Sequence, residues 1–140
     1  MTAITANTTE SPTAQPVIRS LEGKYYTSPE IFAAEQAGLL MRTWQFAGHA
    51  SALEKSGDYF AFEMSGERLF CLRDKDGEVR TFYNVCQHRA HELVSGSGNA
   101  SVVVCPYHSW TYALNGQLRA GPNIRSVPDF PKSEICLTSV

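Results

Sequence analysis

The chain has 140 residues, 43% of them hydrophobic and 19% charged, with a formal net charge of −2. That is enough for one compact domain of ordinary globular composition, which excludes a fibrous or wholly disordered protein. Acids and bases are interspersed, so no charge footprint argues for nucleic acid, and the longest apolar runs fall far short of the roughly 20 residues that cross a bilayer.

Met1 to about Ser20 is rich in Thr, Ser, Ala, Pro and Gln. Such a segment buries too little surface to offset its ordering entropy, so residues 1–20 are expected to form a flexible tail. It lacks the basic flank and apolar stretch of a secretory signal, which leaves a cytoplasmic location as the default expectation. Residues 21–43 read as a helical arm. Ser28 supplies an N-cap, Pro29 a first helical position and Glu30 an acid in the first turn, which predicts a helix from Pro29 to about Met41. Ile31, Phe32, Leu39 and Leu40 give it an apolar side, with Glu30 and Gln36 opposite.

From Trp44 the pattern changes to short β-type runs: WQFAGH, DYFAFEM, RLFCLRD, EVRTFYNV, SVVVCPY, WTYAL and QLRA. Asp76-Gly77 and Asn115-Gly116 mark two tight hairpins. The expected fold is therefore mainly β, a small antiparallel β-sandwich with an N-terminal helix and a disordered N-terminal tail, and its globular part is expected over residues 44–140. EICLTSV reads as a strand beginning with no turn after it, so the chain is expected to be a fragment of a longer protein.

Chemistry concentrates in two loops. NVCQHRAHEL places Cys86 and His88 two positions apart, and VVCPYHSWTY places Cys105 and His108 three apart. Four cysteines allow two disulfides, but this chain is neither cysteine-dense nor visibly secreted, and two of the four sit beside histidines, so metal binding is the better reading. Thiolates and imidazoles exclude calcium and magnesium and leave zinc and iron–sulfur chemistry in contention. A Cys₂His₂ set satisfies a structural zinc by counting alone. Cys71, in an expected strand, reads as an ordinary buried thiol, and His49 and His91 as surface or structural histidines.

Zinc fingers usually pair Cys with Cys and His with His, whereas each loop here offers one of each. CQHRAH and CPYHSWTY resemble the Rieske [2Fe–2S] loops C-x-H and C-x-x-H of ring-hydroxylating-type non-haem iron oxygenase α subunits. The resemblance implies that Cys86 and Cys105 bind the inner iron of a [2Fe–2S] cluster and His88 and His108 the outer one. Respiratory Rieske proteins add a cysteine in each loop to form a bracing disulfide, and the corresponding positions here are His91 and Tyr107. Two departures from the oxygenase pattern are Ala90 and Ser109, where glycine is common. Tyr107 and Trp110 are expected to shield the cluster or pack in the core.

Upstream, YYTSPEIFAAEQAGLLMRTWQFAGH resembles the helical arm and first strand of such α subunits, which a small carrier ferredoxin lacks. GDYFAFEM, LRDKDGEVRTFYNVCQHRAHEL and RAGPNI look most like oxygenases of quaternary-ammonium substrates. A complete oxygenase also needs a mononuclear iron on two histidines and a carboxylate. His49 and His91 are the only histidines left, so no catalytic residue is expected here, and the mononuclear Fe(II) is expected only in a domain outside this chain. The function implied is electron transfer through the cluster to that iron, for hydroxylation or demethylation of a small organic substrate with O2. The implied partners are a ferredoxin or flavin reductase as donor and a catalytic domain of the same or a neighbouring subunit, within a homotrimer, with no nucleic acid and no membrane. A stand-alone Rieske-type ferredoxin and a zinc-stabilised binding module are the alternatives.

Overall fold

The computed structural model describes residues 19–140. The expected tail thus falls, apart from Arg19 and Ser20, outside the described residues.

The arm contains α1 (Lys24–Thr27) and α2 (Pro29–Gly38). The Ser28 hydroxyl caps α2 by accepting from the Ile31 amide at 3.2 Å, as the sequence predicts. α2 ends at Gly38, earlier than the expected Met41, because Leu39 leaves helical geometry at φ −114° and Leu40–Arg42 tighten into a 3₁₀ turn. Glycine is a weak helix former, which places the stop there. Neither helix buries a residue.

Seven strands follow: β1 (Asp58–Met64), β2 (Glu67–Arg73), β3 (Val79–Tyr83), β4 (Ser97–Asn99), β5 (Val103–Val104), β6 (Thr111–Tyr112) and β7 (Leu118–Ala120). They build a four-stranded sheet in the order β3-β2-β1-β4 and a three-stranded sheet in the order β5-β6-β7, with every ladder antiparallel. The mainly antiparallel β expectation holds. Both signalled hairpins form, and Gly77 and Gly116 take φ of +86° and +88°, values that strain any residue with a Cβ.

Two expectations need correction, and one strand was not expected. WQFAGH forms no strand: residues 44–49 run without ladder bonds over the outer face of the large sheet, where Gly48 lies so close to the Phe60 ring that a Cβ would meet it at 2.8 Å. β4 was not legible, because SGN has no apolar alternation and is held by pairing with Asp58–Phe60. EICLTSV forms isolated bridges, Cys136 to Gln117 and Ser139 to Phe82, in place of a strand.

Alternation along the strands sorts the two faces of the large sheet. Phe70 and Leu72 of β2 and Phe82 of β3 face the core with Trp110, Tyr112 and Leu118, while Leu69, Cys71, Phe60 and Phe62 line up on the other face. The core runs between the two sheets and up to Cys86 and Cys105, so the metal loops grow directly out of it.

Candidate metal centre

The two loops are the same turn built twice. The Cys86 carbonyl accepts from the Ala90 amide at 2.9 Å, and the Cys86 amide donates to the His91 carbonyl at 2.9 Å. In the second loop the Cys105 carbonyl accepts from Ser109 at 2.9 Å, and the Cys105 amide donates to Trp110 at 2.8 Å. Each turn closes through a left-handed residue, Ala90 and Ser109, both at φ +54°. These are the two positions where glycine is common in the resembled pattern, and the geometry supplies the reason: an L-residue here carries a strain of roughly 1–2 kcal/mol that glycine avoids.

Asn84, at the end of β3, anchors the first loop and was not singled out from sequence. Its buried side chain accepts from the amides of Leu93 and Val94 at 3.0 and 3.1 Å and donates to the Val94 carbonyl at 2.7 Å. The chain leaving the loop is thereby tied back to the strand that enters it.

The four predicted residues pair off like with like, Cys86 beside Cys105 and His88 beside His108. Cys86 and Cys105 are each 2% exposed, and neither forms a disulfide. Burial pushes the Cys86 thiol above its ordinary pKa and the neighbouring Cys105 sulfur adds to this, while a hydrogen bond from Tyr112 opposes them. Two adjacent buried thiolates are costly unless a cation neutralises them. His88 is exposed and His108 half-buried, and their rings meet edge to face at 4.9 Å. His108 Nδ1 is buried without a hydrogen-bond partner among the described residues. Burial, reinforced by His88, Arg89 and His91, holds the His108 imidazole below its usual pKa, which favours the neutral form that ligates metals. An orphaned buried imidazole nitrogen and two buried free thiols are the donor types of a soft metal group.

Aromatic rings enclose the histidines. Trp110, 9% exposed, stacks on His88 at 4.7 Å and 11°. Tyr107 stacks on His108 at 3.7 Å and also meets the His91 ring at 5.5 Å. His91 and Tyr107, the positions matched to the bracing cysteines, are thus neighbours held by ring contact. His49 lies elsewhere, exposed and bonded to Ser51 at 2.8 Å. Cys71 is buried, as expected, with its sulfur 3.1 Å from the Thr81 hydroxyl.

The residue that sequence reading missed at the site is Tyr112. It is fully buried, its oxygen accepts from the Gln87 amide at 3.1 Å, and its hydroxyl reaches Cys86 Sγ at 3.2 Å. Its one legible signal is a tyrosine on a strand directly after a metal loop, which simple core packing would equally produce.

An antiparallel β protein with paired thiolate and imidazole loops growing from its core defines a soft-metal redox domain. Residues 43–131 match the Rieske [2Fe-2S] domain family, and the chain belongs to that family. It is 42% identical over 109 residues to the carnitine monooxygenase oxygenase subunit of Acinetobacter baumannii, covering 77% of this chain and 29% of that protein. The chloroplastic choline monooxygenase of Atriplex hortensis is 39% identical over 94 residues, covering 67% and 22%. The fold superposes with a TM-score of 0.77 and 39% identity on a solved quaternary ammonium Rieske monooxygenase, described for carnitine oxidation and inter-subunit electron transfer, over 83% of this chain and 32% of that one. The chain spans less than a third of the length of the curated relatives it matches. No helix among the described residues is long and apolar enough to cross a membrane.

Proposed function

We propose that Cys86, His88, Cys105 and His108 hold the [2Fe–2S] cluster and that the domain passes single electrons to the mononuclear non-haem iron of an oxygenase. The orphaned His108 Nδ1, together with two buried free thiols in the same pair of loops, carries this reading. The cysteines neighbour each other and the histidine rings meet, an arrangement that suits a two-iron group taking its ligands in pairs. When bound, the cluster supplies a one-electron store whose potential is raised by imidazole ligation relative to four thiolates.

The protein's own residues divide the remaining work. Cys86 and Cys105 sit in the core and fix the inner end, while His88 and His108 stand toward solvent and form the edge through which electrons leave. Trp110 covers one face of the His88 ring by stacking. A ferredoxin or flavin reductase as donor, a catalytic domain of the same or a neighbouring subunit as acceptor, and a trimer that brings them together complete the reading. The carnitine and choline monooxygenase relatives support a quaternary-ammonium substrate for that oxygenase.

The experiment is anaerobic reconstitution with iron and sulfide, followed by electron paramagnetic resonance of the reduced protein and of the Cys105→Ser and His108→Ala variants. A rhombic signal with an average g value below that of the free electron is expected in the parent and lost in both variants. A silent, zinc-loaded parent, or variants with an unaltered signal, would overturn the ligand assignment.

A further inference from the structure

The two cysteine–histidine turns share one geometry, but only the second has a ladder beneath it. β5 and β6 flank that loop and pair Val103 with Tyr112 and Val104 with Thr111. The bond from the Cys105 amide to the Trp110 carbonyl carries their pairing one step further, so backbone holds both feet of the loop. The first loop leaves β3 at Asn84 and returns through residues 91–95, which belong to no strand. β3 offers those residues no ladder. One of its sides is taken by β2, and the other by the segment near the C-terminus, through the Phe82 to Ser139 bridge and the bond from the Tyr83 amide to the Thr138 carbonyl.

Asn84 supplies what that ladder would. A carboxamide presents donor and acceptor in the manner of a peptide group, with two hydrogens and two acceptor sites, and here all four are used. Oδ1 accepts from the Leu93 and Val94 amides at 3.0 and 3.1 Å, and Nδ2 donates to the Val94 carbonyl at 2.7 Å and to Glu92 Oε1 at 3.3 Å. The Asn84 amide donates to the Arg68 carbonyl at 2.8 Å, and the Arg68 guanidinium faces Glu92 at 3.5 Å. The start of β2, the end of β3 and the chain leaving the loop thus close on one side chain that is 2% exposed. Leu93 is buried in the core, so an amide released there is left without a partner. Cys86 lies two positions after Asn84, and its amide donates to the carbonyl of His91, the residue before Glu92. The clasp therefore sets the separation of the loop's two feet.

We propose that Asn84 is the positioning residue of the first metal loop: its carboxamide replaces a β ladder and holds Cys86 and His88 in register with Cys105 and His108. This rests on the cluster reading above and deepens it. None of the Asn84 bonds goes to a ligand side chain, so it acts through the backbone that carries the ligands. The second loop keeps its ladder whatever stands at position 84. Removing the clasp therefore loosens one pair of ligands and leaves the other in place.

The test compares the reconstituted chain with Asn84→Ala and, as control, Asp74→Asn, a destabilising change at the opposite end of the β2–β3 hairpin whose partners lie outside the metal loops. Cluster loss to a ferrous-iron chelator is followed by bleaching of the visible absorption, the reduced proteins are compared by paramagnetic resonance, and denaturant unfolding gives the stability of each. Asn84→Ala is expected to lose the cluster about tenfold faster, with a broadened spread of g values, because Cys86 and His88 no longer rest in one geometry. Asp74→Asn is expected to keep the parent's line shape and a loss rate within about twofold of it. Hydrogen exchange in the parent covers the case in which Asn84→Ala fails to fold: the Leu93 and Val94 amides should be protected as long as those of β2. An unchanged rate and line shape in Asn84→Ala, equal acceleration in Asp74→Asn, or unprotected Leu93 and Val94 amides would each overturn the proposal. A parent without a paramagnetic signal would instead overturn the cluster reading and this inference with it.

Discussion

Tyr112 shows how one buried side chain sets the chemistry of its neighbour. The Gln87 amide occupies a lone pair of the phenol oxygen, which leaves the hydroxyl hydrogen for Cys86 Sγ. Burial and the adjacent cysteines push the phenol well above its usual pKa, so it remains a donor at any working pH. A donor stabilises negative charge on sulfur, and the reduced cluster carries more of it. A hydrogen bond to a charged acceptor is worth about 1.5–3 kcal/mol. If about 1 kcal/mol of that discriminates the reduced from the oxidised state, Tyr112→Phe lowers the potential by about 40 mV, since a tenfold ratio is about 59 mV for one electron. Redox titration followed by paramagnetic resonance checks this, and a potential that stays put or rises would remove Tyr112 from the tuning groups. The ligands themselves were legible because Cys-x-His and Cys-x-x-His spacing is a local property. Tyr112 was not, because its partner lies 26 positions away in the chain.

Among the elements, the β2–β3 hairpin carries the strongest electrostatic device outside the metal loops. Asp74 is 1% exposed. Its carboxylate accepts from the Asp76 and Glu78 amides at 2.8 and 3.0 Å and from Arg80 Nε at 2.5 Å. Burial opposes its ionisation, but Arg80 and the two amides outweigh burial and hold the carboxyl below the usual aspartate range. The unfolded chain therefore takes up the proton more readily than the folded one. The stabilisation is fully present above the unfolded aspartate pKa of roughly 4 and is lost as pH falls through the folded value. Asp74→Asn is expected to cost about 2 kcal/mol at pH 7 and to flatten the loss of stability below pH 5, by denaturant unfolding at a series of pH values. A parallel pH profile in the variant would show that another carboxylate governs acid unfolding. Sequence marked this turn through Asp76-Gly77, whereas the lock came from Asp74, an acid at a strand end that reads as an ordinary polar position.

For the molecule as a whole, large apolar side chains divide into those packed between the sheets and those on the arm and the segment 44–49 that follows it. Phe70 is 0% exposed, whereas Trp44 is 102% and Phe46 82% exposed. Hydrophobicity of type does not distinguish them; packing does. Phe70→Ala is expected to cost about 3–5 kcal/mol, and Trp44→Ala to stay within about 0.5 kcal/mol, in unfolding of this chain. Comparable losses from both would mean that the segment 44–49 packs on the domain more tightly than this arrangement shows. The same division explains the misplaced first strand. WQFAGH has the aromatic content of a strand, but a strand exists only where a neighbour offers backbone partners, and residues 44–49 have none.

The sequence alone determined the β class, the two hairpins at Asp76-Gly77 and Asn115-Gly116, the capped start at Ser28 and the four residues proposed as ligands. Each of these is written in spacing or in local backbone chemistry. Only the tertiary structure showed that the two metal loops are one turn used twice and that Ala90 and Ser109 hold the strained positions in it. It also placed Tyr112 and Asn84 at the site. Those features depend on contacts between segments far apart in the chain, which are set when the two sheets close on a common core.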